Sequence, residues 1–158
     1  MNQQFMLEAI KQARLAAEKK EIPVGCVVVS QNRIIARAYN QVETLKDPTA
    51  HAEMIALTQA ASYLANKWLY QCEVYVTVEP CSMCAGALVL ARIKNLFFGA
   101  FDPKTGACGS VLNVASNREL NHRIKVQGGI LQEECAALLD DFFKSLRKSR
   151  PEKKFHLN

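Results

Sequence analysis

The run Glu73-Val74-Tyr75-Val76-Thr77-Val78-Glu79-Pro80-Cys81-Ser82-Met83-Cys84 decides the fold. Its first half is rich in Val, Tyr and Thr, which predicts a strand. Pro80 cannot donate to a strand ladder and ends it. Ser82 to Arg92 then predicts a helix, with Cys81 and Cys84 in its first turn. A strand that hands over to a helix at a pair of cysteines is the unit from which the rest can be read.

Working outward toward the N-terminus, Phe5, Met6, Ala9, Ile10, Ala13 and Ala16 recur at helical spacing and predict a helix over about 3–20, with Asn2 as its cap. Pro23-Val24-Gly25 breaks it. Val24 to Ser30 and Ile34 to Tyr39 predict a hairpin across Gln31-Asn32-Arg33. Val27-Val28-Val29 is apolar throughout, as in a strand covered on both faces. A polar loop ends at Asp47-Pro48-Thr49, and a helix over 50–63 begins at or just before His51.

In the other direction follow a strand over 95–99, a loop rich in Gly and small residues over 100–109, a strand over 123–127 and a final helix over 131–147. The order α-β-β-α-β-α-β-β-α implies an α/β protein, a three-layer α/β/α sandwich with a five-stranded mixed sheet. No repeat or low-complexity linker divides the 158 residues, so the expectation is one domain over 1–158, closed by a basic helix and tail over about 131–158.

Composition narrows the class. At 49 % hydrophobic and 22 % charged residues, a sizeable core can form without staples, so the six cysteines need not be a secreted disulfide framework. Met1 to Phe5 lacks the basic start and apolar run of a secretory signal, and no apolar stretch approaches the ~20 residues of a membrane span. These observations lead us to expect a cytoplasmic protein with reduced cysteines. The net charge of +5 is localised. From Lys144 onward six basic residues face a single Glu152, while the preceding 143 residues balance 14 basic against 14 acidic. Such an end is either a solvated tail or a contact for phosphate backbone.

The chemistry lies in His51-Ala52-Glu53 together with Pro80-Cys81 and Cys84. One imidazole and two thiolates suit Zn²⁺, and three protein donors leave the fourth tetrahedral position for water. The start of a helix favours thiolate at both cysteines. If residues 51–53 are helical, positions two apart point about 200° from each other. Glu53 is then disfavoured as a second ligand and suited to carry protons beside the metal. Two other readings stay open: a redox pair at Cys81 and Cys84, and a structural zinc site with Cys72 or Cys108 as fourth ligand.

The chain resembles the TadA-type tRNA adenosine deaminases of the cytidine-deaminase-like superfamily. The matching stretches are Ile22-Pro23-Val24-Gly25, Asn40, Asp47 to Glu53, Glu79-Pro80-Cys81 with Met83 to Ala87, Gly99-Ala100 with Asp102 and Lys104-Thr105-Gly106, Asn121-His122-Arg123, and Gly129 to Leu131 with Glu134 to Leu139 and Phe142-Phe143. The zinc pattern specifies the superfamily, and the loop and final helix specify the branch. The resemblance implies hydrolytic conversion of adenosine to inosine at the wobble position, 34, of a tRNA anticodon, with one Zn²⁺ per chain held by His51, Cys81 and Cys84 and Glu53 as catalytic proton carrier. It implies substrate contacts from Asn40, the Ala52 amide, Asp102, Lys104 and a wall at Phe143, with a tRNA anticodon stem-loop as partner and a homodimer as the working form.

Several positions carry a plainer reading as well. Asn40 and Asp102 can be turn formers, and Phe142 and Phe143, being adjacent, place at most one ring against a ligand. His122 reads as a structural polar contact. Phe101 and Leu146 depart from the family pattern: Phe101 sits where a basic residue often occurs and can stack on a base instead, and Leu146 falls one residue short of the basic pair Arg147-Lys148. The competing functions are a deaminase of free cytosine, guanine or cytidine, and a non-catalytic RNA-binding module with structural zinc.

Overall fold

The computed structural model describes residues 2–150. The elements are α1 (Asn2–Glu18), β1 (Gly25–Ser30), β2 (Arg33–Tyr39), α2 (Val42–Leu45), α3 (Ala52–Leu64), β3 (Cys72–Val78), α4 (Ser82–Leu90), β4 (Asn95–Ala100), β5 (Lys125–Gln127) and α5 (Gln132–Ser149). The strands form one sheet in the order β2-β1-β3-β4-β5. β1 pairs antiparallel with β2 and β3, whereas β3-β4 and β4-β5 are parallel, so the sheet is mixed as expected.

Period-two alternation sorts the side chains into two cores. Val27, Val29 and Tyr75 join Met6, Ala9 and Ile10 of α1 and Cys135 of α5 on one face. Cys26, Val28, Val74 and Val76 join Ala52, Ala56 and Ala60 of α3 and Leu88 and Val89 of α4 on the other. This is the three-layer α/β/α arrangement, and β1 is covered on both faces.

Local chemistry explains the details. Gln31 and Asn32 both take positive φ (48° and 61°), giving the two-residue primed turn that matches strand twist, so Arg33 belongs to β2 rather than to the turn. Asn2 is no cap: it lies within α1, and its Oδ1 is 3.1 Å from the Tyr75 hydroxyl. α1 stops at Glu18, two residues early, as Lys20 turns left-handed and the Glu21 N–H bonds back to the Ala16 carbonyl. β5 is shorter than the predicted 123–127, because the Ile124 N–H turns to the Ala115 carbonyl.

The short helix α2 lies where the sequence suggests only loop, and it depends on a distant partner. The buried Glu21 carboxylate accepts from the Glu43 N–H (2.7 Å), the Thr44 N–H (3.1 Å) and the Thr44 hydroxyl (3.1 Å). α4 uses one face as core, and Leu90 at its end is exposed. His122 makes the structural contact expected of it, with Nε2 2.6 Å from the Ile93 carbonyl. Among the described residues no helix is long and apolar enough to cross a membrane. The part of the basic tail carrying Lys153 and Lys154 lies outside the described residues.

Candidate active site

α3 and α4 bring their N-termini together beside the C-terminal end of β3. His51 is the N-cap of α3 and Cys81 the N-cap of α4, both with extended backbone, while Cys84 is the third residue of α4. The His51 Nδ1 lies 3.6 Å from Cys81 Sγ and 3.5 Å from Cys84 Sγ, and the three donor atoms are within 4.8 Å of one another. Tetrahedral Zn²⁺ with Zn–S of ~2.3 Å and Zn–N of ~2.0–2.1 Å places nitrogen and sulfur ligands roughly 3.5–3.6 Å apart. The donors therefore fit the ion in both chemistry and spacing. His51, Cys81 and Cys84 form a zinc-binding triad of the deaminase type.

No fourth donor joins them among the described residues. Cys72 is buried within β3 and belongs to the apolar core, and Cys108 stands outside the donor cluster. This favours an open site over a structural one.

The electrostatics divide the two cysteines. Hydrogen bonds from Cys84 and His51 outweigh burial and draw the Cys81 thiol down to about 4. The Cys84 thiol moves the other way, raised by its bond to Cys81, by burial and by the nearby Glu53 charge. The lowered Cys81 thiol agrees with a position at a helix start, while at Cys84 the bond to Cys81 and burial prevail. The imidazole of His51 is raised by its bond to Cys81, against burial.

Glu53 is the second residue of α3 and is buried. Burial raises its carboxyl, opposed by contacts with Cys84 and His51. Because His51 is an extended cap, the helical separation of 200° does not apply between it and Glu53. Glu53 is nonetheless no member of the donor cluster, and both side chains line the same cavity.

That cavity has a volume of about 600 Å³. His51, Ala52, Glu53 and Cys81 meet Asn40, Ile22, Val24, Glu79, Asp102 and Thr105 around it, and Phe142, Phe143 and Leu146 close it from α5. Asn40 is more than a turn former: its Nδ2 donates to the Ile22 carbonyl (3.3 Å), while its Oδ1 is buried with no partner among the described residues. Asp102 keeps its turn role. Oδ1 accepts from the Lys104 and Thr105 N–H groups (2.9 and 3.1 Å) and Oδ2 from the Thr105 hydroxyl (2.7 Å).

Both Phe142 and Phe143 face the cavity, with ring centroids 5.6 Å apart and planes at 74°, so adjacency does not exclude one of them. Lys104 does not line this cavity. It lines an adjoining cleft of about 470 Å³ with Asp140, Lys144, Arg147 and Arg150, and Phe143 and Leu146 are shared by the two. Phe101 lines neither and packs edge-on against Phe98, centroids 5.0 Å apart. Two residues at the site escape sequence reasoning. Glu21 carries no signal at all, and Glu79 has no assignable partner in the sequence; both are buried and line the cavity.

Comparison with known proteins is specific. The family model described as MafB19-like deaminase matches residues 1–147. The chain is 47 % identical over 146 residues to the tRNA-specific adenosine deaminase of Bacillus subtilis (strain 168), covering 92 % of this chain and 91 % of that one. It is 49 % identical over 145 residues to the tRNA-specific adenosine deaminase of Aquifex aeolicus (strain VF5), covering 92 % and 95 %. Among solved structures it is similar, with a TM-score of 0.83 and 41 % identity over 86 % of this chain and 99 % of the other, to one from a study of A-to-I editing by tRNA:A34 deaminases at the wobble position of transfer RNA.

Proposed function

Since the chain belongs to the MafB19-like deaminase family, we propose that it hydrolyses adenosine to inosine and ammonia at the wobble position of a tRNA anticodon. The observation that carries this reading is the three-donor triad, with no fourth protein ligand among the described residues, opening beside buried Glu53 into a cavity of about 600 Å³.

His51, Cys81 and Cys84 would hold Zn²⁺, which would supply the Lewis acidity that makes water a nucleophile at neutral pH. The chain's own residues do the rest. Glu53 takes the proton released by that water and delivers it to ring N1 as C6 is attacked, then takes the proton of the new C6 hydroxyl and passes it to the amino group, which leaves as ammonia. Its raised carboxyl suits a group that must hold a proton for part of the cycle. The Ala52 N–H, at the first position of α3, belongs to the turn whose amides have no partner within the helix and would serve as donor to the reacting edge of the base. Asn40 meets the flipped nucleotide through the oxygen that has no protein partner among the described residues. Phe142 and Phe143 shut out solvent from the α5 side.

A polymer substrate is supported by the adjoining cleft, where Lys104, Lys144 and Arg147 gather next to the cavity and suit phosphate backbone. The homodimer and the cytoplasmic setting belong to the same reading, and sedimentation of the purified protein checks the first. The deciding experiment incubates the zinc-loaded protein with an anticodon stem-loop carrying A34 and measures inosine, against ammonia release from free adenosine, cytosine, guanine and cytidine. Inosine in the RNA is the expected result. Turnover confined to the free compounds overturns the reading in favour of a free-base deaminase, and zinc and RNA binding without any turnover favours a binding module.

A further inference from the structure

Glu79 lies between the end of β3 and the first thiolate donor, yet its side chain serves another segment. Oε1 accepts from the Cys108 N–H (3.1 Å) and the Ser110 N–H (3.0 Å). Oε2 accepts from the Asp102 N–H (3.0 Å) and the Ser110 hydroxyl (2.5 Å). The main chain adds two ties, from the Glu79 N–H to the Ala100 carbonyl and from the Ala107 N–H to the Pro80 carbonyl, each 2.8 Å. The loop closes so tightly that a Cβ at Gly106 would collide with the Glu79 carboxylate and stand 2.5 Å from the Asp102 carbonyl.

Four donors occupy the acceptor positions that a carboxylate offers. Although Glu79 borders the cavity, it therefore has no lone pair to spare for a ligand. What it holds does face the ligand space: Asp102 and Thr105 line the cavity, and Asp102 in turn fixes the Lys104 and Thr105 amides. A single charged side chain thus braces the metal-binding turn against this wall.

We propose that Glu79 is a positioning residue for the substrate: its carboxylate fixes the 102–110 loop against the Pro80-Cys81 turn, so that the wall built by Asp102 and Thr105 stands at a set place relative to the metal ligands. The inference rests on the RNA-deaminase reading above for its kinetic consequences and on the hydrogen bonds alone for the brace itself.

The geometry also dictates where an isosteric amide fails. In Glu79→Gln, an NH₂ at the Oε1 position would oppose two backbone N–H donors. At the Oε2 position it opposes only one, since the Ser110 hydroxyl can turn round and accept. The amide settles that way, Cys108 and Ser110 stay bound, and the Asp102 N–H is released.

The test compares Glu79→Gln and Ser110→Ala with the wild type in zinc per chain, steady-state kinetics on the A34 stem-loop, and hydrogen exchange of single backbone amides. For Glu79→Gln, KM rises on the order of tenfold, as for loss of one bond to a charged group, while kcat stays within about threefold. Zinc remains one per chain, and the Asp102 amide exchanges faster while Cys108 and Ser110 stay protected. Ser110→Ala, which keeps the carboxylate and the Asp102 bond, moves KM in the same direction by less. An unchanged KM with a protected Asp102 amide overturns the proposal, as does a fall in kcat accompanied by zinc loss, which would assign Glu79 to the metal turn alone. Should Glu79→Gln not fold, Ser110→Ala decides, and wild-type KM and exchange in that variant overturn the brace. Should the wild type leave the RNA untouched, the functional reading fails by itself, and amide exchange still decides the brace.

Discussion

Replacing Glu53 by Gln separates chemistry from binding at this site. The amide keeps the volume of a side chain that is 4 % exposed, so the core around α3 is undisturbed. Glu53 is no member of the donor cluster, so zinc should remain at one per chain. The size of the loss depends on whether another carboxylate can deputise. Four others border the cavity: Glu21, Glu43, Glu79 and Asp102. Glu21 is taken by three donors from α2, Glu79 by four from the 102–110 loop, and Asp102 by three of its own turn. Glu43 is exposed and sits 3.7 Å from the Lys46 ammonium. Three of the four are thus held by other donors and the fourth is drawn to Lys46, so the general acid-base contribution of roughly 10²–10⁴-fold should be lost without rescue. We expect kcat on the stem-loop to fall about 10³-fold, or about 4 kcal/mol in the barrier, with RNA affinity and zinc content retained. Single-turnover inosine formation, metal analysis and RNA binding measure the three quantities. A loss smaller than about tenfold, or a loss that follows departure of zinc, refutes the assignment of Glu53 as proton carrier.

Two further outcomes probe the cleft and the fold. Lys144→Gln and Arg147→Gln should each flatten the dependence of log affinity for the stem-loop on log salt, by about 0.7 for every phosphate left without its cation, with the melting temperature little changed; an unaltered slope removes the cleft from the RNA path. In Gly99→Ala the new methyl would collide with Cys135 of α5 and stand 2.7 Å from the Thr77 carbonyl, so overpacking of about 1–3 kcal/mol should lower Tm by several degrees. Scanning calorimetry reads the shift, Cys135→Ala in the same background should recover part of it, and an unchanged Tm would mean that the seam between β4 and α5 has slack.

Much of the fold is legible in the sequence because the physics involved is local. An apolar run at Val27-Val28-Val29 has to be covered on both faces, and β1 is. A proline after a run of β-formers has to end a strand, and β3 stops at Val78. Donors that cap or open helices need only spacing to be recognised, which is why His51, Cys81 and Cys84 stand out and meet. What stays hidden depends on contacts across the chain. α2 has four residues, too few for a hydrophobic period, and is held by a carboxylate about twenty positions earlier. The partner of Glu79 lies on a loop after the next strand. Helical geometry alone sets Phe142 against Phe143, and it ignores that the end of α5 stands against an open cavity rather than a packed layer.

The basic end of the chain shows where charge becomes informative. Arg147 and Lys148 sit in the last turn of α5, where the helix dipole favours cations at about 0.3–1 kcal/mol each, so their presence needs no ligand. Lys104 is different. It comes from the loop after β4, owes nothing to that dipole, and still converges with Lys144, Arg147 and Arg150 on one cleft that holds a single carboxylate, Asp140. Like charges drawn together from two segments repel unless an anion relieves them. The cleft also shares Phe143 and Leu146 with the cavity above the metal ligands. Leu146, one residue short of the basic pair Arg147-Lys148, lines both spaces and is thus the apolar partition between one suited to a base and one suited to its phosphates. A cation at 146 would put charge into both. We therefore expect Leu146→Arg to raise affinity for any RNA while weakening the preference for A34 over neighbouring adenosines, which competition between stem-loops of shifted register would read out; an unchanged preference would show that the partition does not select.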